Sequence, residues 1–256
     1  MNKPLKWTTT SLIIGGFAVV QIAIIFRFAN GPFVDEGIYA TAGLRLLQGH
    51  SEDISYYLGL FNGSPFVWPI FSAAGFSVGG LEGSRLLALA FSLVALIGFS
   101  RAVENLFGDS AAEWATVALC ANGLFIALAH FAVIDTPSLA GMALSFWWMT
   151  EYIKTNRRGW LVAAAAAFAV AVLAKYGMAI MLLPLAGVLV AERDKIKLKS
   201  SAGLFALVAG LILAPYALIL WPMVYRAATV GYLVGQSGGV GSRAGIGFMA
   251  AQYDAL

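Results

Sequence analysis

SPFVWPIFSAAGFSVGG, residues 64–80, decides how this chain threads. The segment is apolar enough to enter lipid, yet Pro69 interrupts it and Gly79 and Gly80 close it. A run of roughly 14 residues suits an interfacial or re-entrant piece, because a crossing helix needs about 20. Charge placement gives a second test. With 64–80 left out, seven apolar stretches remain, at roughly 9–28, 84–104, 111–131, 136–152, 159–174, 177–191 and 201–221. Ten of the sixteen basic residues then share one side: Lys3 and Lys6, Arg101, Lys154, Arg157 and Arg158, and Arg193, Lys195, Lys197 and Lys199. Arg27, Arg45, Arg85, Lys175, Arg226 and Arg243 take the other. Counting 64–80 as a span would send Arg157, Arg158 and the cluster at 195–199 outside, against the excess of positive charge held on the cytoplasmic side. Residues 64–80 are therefore expected along the outer surface, with Trp68 as an interfacial anchor.

The rest of the chain agrees with a membrane reading. It is 60% hydrophobic over 256 residues, where soluble domains hold about 45–50% apolar residues. The fold class is all-α and polytopic, with about seven transmembrane helices and juxtamembrane helices in a first outer loop at about 29–83. The sequence pI near 9.0 follows from the positive-inside bias and indicates no nucleic-acid partner. Cys120 is the single cysteine, which excludes an intramolecular disulfide, and it is expected only to pack. The two histidines are too far apart in sequence for a metal signature. MNKPLKW resembles the basic head of a signal peptide. The long apolar run after it shows no clear cleavage site, so a retained signal anchor is expected. The alanine run at 163–167 suits close helix packing in lipid.

On this threading four ionisable residues reach one face. Asp35 and Glu36 are adjacent, so at most one can point directly into a cleft. Two readings stay open for Asp35: an N-cap for a helix over 37–47, or a general base whose pKa rises as it loses solvent. Asp135, two residues before Pro137, suits a helix start. It equally suits a functional acid, since carboxylates in membrane segments are costly. Lys175 is the only lysine outside the cytoplasmic clusters. It can snorkel to headgroups or hold a lipid phosphate, and Arg85 has the same two readings. His130 is expected to be packed or hydrogen-bonded. A carboxylate base opposite a cationic clamp suits group transfer from a phosphate leaving group, which departs as an anion and needs no general acid.

These residues lie in an order that resembles the GT-C glycosyltransferases, near the dolichyl-phosphate-mannose protein mannosyltransferases and the lipid A aminoarabinose transferases. The resemblance rests on FVDEGIY at 33–39, LLQG at 46–49, GLFNGSPFVWP at 59–69, EGSRLL at 82–87, NLFG at 105–108, AVIDTP at 132–137, VLAKYG at 172–177 and LLP at 182–184. It implies a polyprenyl-phosphate-linked sugar donor and transfer outside the cytoplasm with inversion. The acceptor would be a lipid, glycan or protein. Asp35 and Glu36 would then be the acidic catalytic motif, Asp135 the second acid, and Lys175 the contact to the donor phosphate. Some relatives use a divalent cation, so Mg or Mn is a candidate, held by Asp35 and Asp135 if at all.

Residues 1–222 are expected to form the membrane module in the cytoplasmic (inner) membrane. Residues 223–256, with QSGGVGSRAG at 236–245, are expected to be a flexible outer loop leading to a further part. A sharper reading makes this tail a mobile cover whose Arg243 meets phosphate. The rival class is a non-catalytic lipid-binding or transporter-like protein, whose charged sites would sit near the bilayer midplane.

Overall fold

The computed structural model describes residues 9–27, 31–50, 57 and 61–236, with side chains through Leu220. The described residues form helices and turns and no strand. The chain is an all-α membrane protein.

The first helix, α1 (Thr9–Arg27), contains no charge before its last residue. It buries Phe17, Gln21 and Ile25, a stripe at four-residue spacing that keeps one face on the bundle. Leu12, Val19, Val20 and Phe26 are exposed on its other sides, as expected of a helix solvated by lipid. The short α2 (Val34–Leu47) lies against the next helix, where a side chain at Gly43 would collide with the Pro69 carbonyl, 1.9 Å from a Cβ.

The 64–80 segment opens α3 (Trp68–Phe107), which is two helices joined at Gly79 and Gly80. Residues 72 and 84 of a straight helix would stand about 18 Å apart. Instead the Ser84 hydroxyl donates to the Ser72 carbonyl at 2.7 Å. The chain doubles back because Gly80 takes φ +61°, a conformation costly for any residue with a Cβ. Glycine is required again at the crossing of the two arms. A Cβ on Gly83 would stand 2.1 Å from the Gly75 carbonyl. Residues 68–78 are thus a separate helix folded onto the long arm. Trp68 is not an interfacial anchor: it is fully buried, and its indole N–H donates to the Ala132 carbonyl at 3.1 Å.

The stretch expected as one span at 111–131 is broken. It forms α4 (Asp109–Cys120) and α5 (Gly123–Leu128). Asn122 is extended between them, and its side chain accepts the Phe125 N–H at 3.0 Å. An N-cap inside an apolar run ends one helix and starts another. The next helix, α6 (Asp135–Thr155), has 21 residues and buries eleven of them, so its polar positions are covered by neighbours. It crosses α3 at Gly98 and α7 (Arg158–Ala174) at Gly141, where the backbones come close enough to exclude side chains. The alanine run supplies the facing surface, with Ala164, Ala165 and Ala167 all buried.

After α7 the expected span at 177–191 is a 3-10 turn, Tyr176–Met181, followed by α8 (Leu182–Ala191). A second short turn, Arg193–Lys195, leads to α9 (Leu198–Gln236). Seven spans are expected from the sequence; among the described residues three helices are long and apolar enough to cross a membrane: α1, α3 and residues Leu198–Leu220 of α9. Two shorter apolar segments, Arg158–Ala174 and Tyr176–Ala191, accompany them. One core cluster joins α6 to α9 and a second joins α1, α3, α5 and α6. A third gathers Tyr39, Tyr57, Phe61 and Trp68 against Ala132–Ile134. The candidate site is built on the third.

Candidate active site

The start of α2 sets two carboxylates on different sides. Glu36 is turned inward and is 1% exposed, whereas Asp35 is exposed. The cap expected of Asp35 is made by Glu36, whose Oε2 accepts the Phe33 N–H at 2.9 Å. This is the reciprocal half of a capping box, and it places Glu36 in the first turn, where the helix dipole favours negative charge.

Arg85 is also 1% exposed. Its Nε and Nη2 donate to Glu36 Oε1 and Oε2 at 2.9 and 2.8 Å. The fourth bond comes from the Ala132 N–H to Oε1 at 2.8 Å. Glu36 therefore ties α2, the long arm of α3 and the 130–134 loop together. The structure corrects the reading of Arg85 as a cation that snorkels to headgroups, because the side chain is buried and paired with an interior carboxylate. A bidentate guanidinium pair with further amide donors is the form in which buried ionic groups recover their lost hydration.

The 130–134 loop delivers Asp135. The acid is the first residue of α6, with Ile134 at the cap position, and its side chain makes no capping bond. Its Oδ1 accepts instead from Lys175 Nζ, and each side chain remains about a third exposed. Lys175 ends α7. Its backbone is fixed from both sides by one loop: the Ser64 N–H donates to the Leu173 carbonyl at 2.7 Å, and the Tyr176 N–H donates to Asn62 at 2.8 Å. Gly63 makes that docking possible, since a Cβ there would sit 1.9 Å from the Ala174 carbonyl.

Asp35 belongs to the same cluster. Its pKa is raised, first by burial and then by the Asp135 charge. The Tyr39 hydroxyl, one turn along α2, is pushed up by burial and then by Asp35 and Asp135. The structure thus pairs Asp135 with Lys175 from distant parts of the chain, brings the Asp135 charge close enough to raise the Asp35 pKa, and buries the Glu36–Arg85 pair in the core. His130 is 8% exposed, with Nδ1 3.1 Å from Gln21 Oε1. Arg243 lies outside the described residues. Trp68 and Gly63 carry structural duties in the site that motif spacing could not reveal, because their partners lie 64 and more than 100 residues away.

A divalent cation of the Mg or Mn type takes about six oxygen ligands. Asp35 and Asp135 bring two carboxylates, and Asp135 is already held by an ammonium. No group of three or more His, Cys, Asp or Glu stands close enough among the described residues to hold a metal.

What the cluster can do is narrower. A carboxylate with a raised pKa can take a proton, and a neighbouring ammonium with donors to spare can steady an anion. Comparison with known proteins bears on this. The family model for dolichyl-phosphate-mannose-protein mannosyltransferase matches residues 64–221, more than half of the chain. That match includes Arg85, Asp135 and Lys175 and begins after Asp35 and Glu36. No curated protein and no solved structure matches the chain. The chain belongs to the dolichyl-phosphate-mannose-protein mannosyltransferase family and is a membrane glycosyltransferase of the GT-C type.

Proposed function

We propose that the chain transfers a sugar from a polyprenyl-phosphate donor to an acceptor on the non-cytoplasmic face of the inner membrane, with inversion. The observation that carries this reading is the Asp135–Lys175 ion pair, with Asp35 within reach of the Asp135 charge. The acceptor hydroxyl or amine attacks the anomeric carbon, and its proton passes to the Asp35 carboxylate. The bond from that carbon to the phosphate oxygen breaks, and prenyl phosphate leaves as an anion. Lys175 stabilises the departing charge. An ammonium has three donors, so Lys175 can hold Asp135 and a phosphate oxygen at once. Asp135 fixes the amine in place. Glu36 and Arg85 set the spacing of the two loops and do not touch substrate. An apolar cavity of about 310 Å³ between α6, α7, α8 and α9, lined by Phe168, Leu182, Leu185 and Phe205, supports a lipid donor.

Purified protein in lipid nanodiscs, given a labelled prenyl-phosphate sugar, tests the assignment. Lys175→Gln removes a charge-assisted bond to phosphate, so the donor KM should rise about 10- to 100-fold. An unchanged donor KM would remove Lys175 from the donor site.

The pH profile tests Asp35. A base must be ionised, and a raised pKa keeps Asp35 neutral to higher pH than a free aspartate. The rate should therefore fall as pH drops through that raised value. Asp135→Asn deletes one cause of the rise and frees the Lys175 charge, and both effects lower the Asp35 pKa. The acid limb of kcat/KM should move to lower pH in that variant. Movement the other way would refute the coupling.

A further inference from the structure

The opposite end of the bundle carries a second polar site. Along α6, Lys154 lies 19 residues after Asp135, and Asn105 lies 20 after Arg85 on α3. At 1.5 Å per residue both separations are close to 30 Å, the thickness of the hydrocarbon core. The two clusters thus stand at opposite interfaces, whichever side faces the cytoplasm.

Asn105, from the NLFG stretch that the transfer chemistry does not use, organises this end. Its Nδ2 donates to Thr150 Oγ1 at 3.0 Å and to Glu151 Oε1 at 2.9 Å. Lys154 Nζ donates to Asn105 Oδ1 at 2.8 Å, and Glu151 also accepts from the Trp147 indole at 3.2 Å. A pocket of about 190 Å³ opens beside this network, lined by Asn105, Leu106, Thr150, Lys154, Glu192 and Lys195 among others. Lys195 pairs with Glu192 at 2.6 Å, and its side chain is 64% exposed. The walls hold the Lys154 and Lys195 ammonium groups with the Glu192 carboxylate, while the Glu151 carboxylate is turned to Asn105 and Trp147. Each ammonium keeps donors beyond its present partner.

The surroundings identify the ligand class. Phe107 and Trp114, both about 70% exposed, flank this end. Large exposed aromatic side chains at the end of a membrane helix belong at the headgroup level. Basic pockets between helices at that depth suit lipid head groups. We propose that the pocket binds the phosphate of an anionic phospholipid from the leaflet opposite the catalytic face.

The full chain in nanodiscs of phosphatidylcholine, with and without phosphatidylglycerol, provides the test. Phosphatidylglycerol should raise the unfolding midpoint by about 4 °C. Lys154→Gln/Lys195→Gln should lose most of that rise. Arg157→Gln/Arg158→Gln, an equal loss of charge from exposed positions off the pocket, should keep it. Equal responses in the two double variants, or none in the wild type, would overturn the proposal. So would an equal rise with inorganic phosphate in detergent, which would make free phosphate the ligand. Native mass spectrometry of the wild type reads the site without substitution. Preferential retention of phosphatidylglycerol over phosphatidylcholine supports it, and equal retention refutes it.

Discussion

Asp35→Asn is expected to lower sugar transfer by roughly 10²–10⁴-fold, the usual contribution of a general base. The change removes one oxygen's basicity and leaves shape intact. Asp35 lies at the surface beside the Asp135 charge, and its raised pKa means that the fold already disfavours its charge. The variant should therefore unfold at or above the wild-type temperature and keep its donor KM, because Lys175 is untouched. Turnover of a labelled donor, read beside thermal unfolding in the same nanodiscs, separates the two. Wild-type turnover in a folded Asp35→Asn protein would end the assignment of the base. Loss of fold would show that Asp35 is structural.

Arg85→Met should act in the opposite manner, through stability. It strands the Glu36 carboxylate, 1% exposed, with only the Phe33 and Ala132 amides. Removing one partner of a buried ion pair costs about 3–5 kcal/mol. For a chain of this size that is a fall of roughly 6–20 °C in midpoint. Adding Glu36→Gln removes the orphaned charge, and the double variant should recover most of the loss, since neutral replacements of buried pairs are often tolerated. A single variant no less stable than the wild type, or a double variant no better than the single, would contradict the role given to the pair. The double variant also asks whether the pair serves catalysis through spacing: recovered stability with depressed kcat would show that it does.

The sequence carried the class of fold and the acidic and basic residues that meet. Apolar length and the distribution of Lys and Arg are local or additive properties, and they suffice to separate 64–80 from the long arm that follows. They do not show partners. Asp35 and Glu36 look equivalent in sequence, and only contacts 49 and 96 residues away make Glu36 the interior one. Arg85 and Lys175 likewise each stand at the end of an apolar stretch, yet one pairs in the core and the other at a partly open face. Trp68 reads as an interfacial residue until the Ala132 carbonyl is seen to receive its N–H. The break at Asn122 was legible in principle. Asn-Gly is a turn signal, masked by the hydropathy of its flanks. Too few apolar residues line α6 for a lipid-facing helix, and its neighbours cover it instead.

The glycine hinge of α3 has a consequence for how the protein is made. Residues 68–107 leave the ribosome as one greasy ribbon of 40 residues, about twice what a bilayer takes up in a single pass. Two passes through that ribbon, or one, would set every later segment on opposite sides of the lipid. A pair of residues with hydrogen in place of a side chain folds the first third away and leaves the remainder to be inserted. The fold-back at Gly79 and Gly80 thus turns one 40-residue apolar stretch into a short arm laid on a long one.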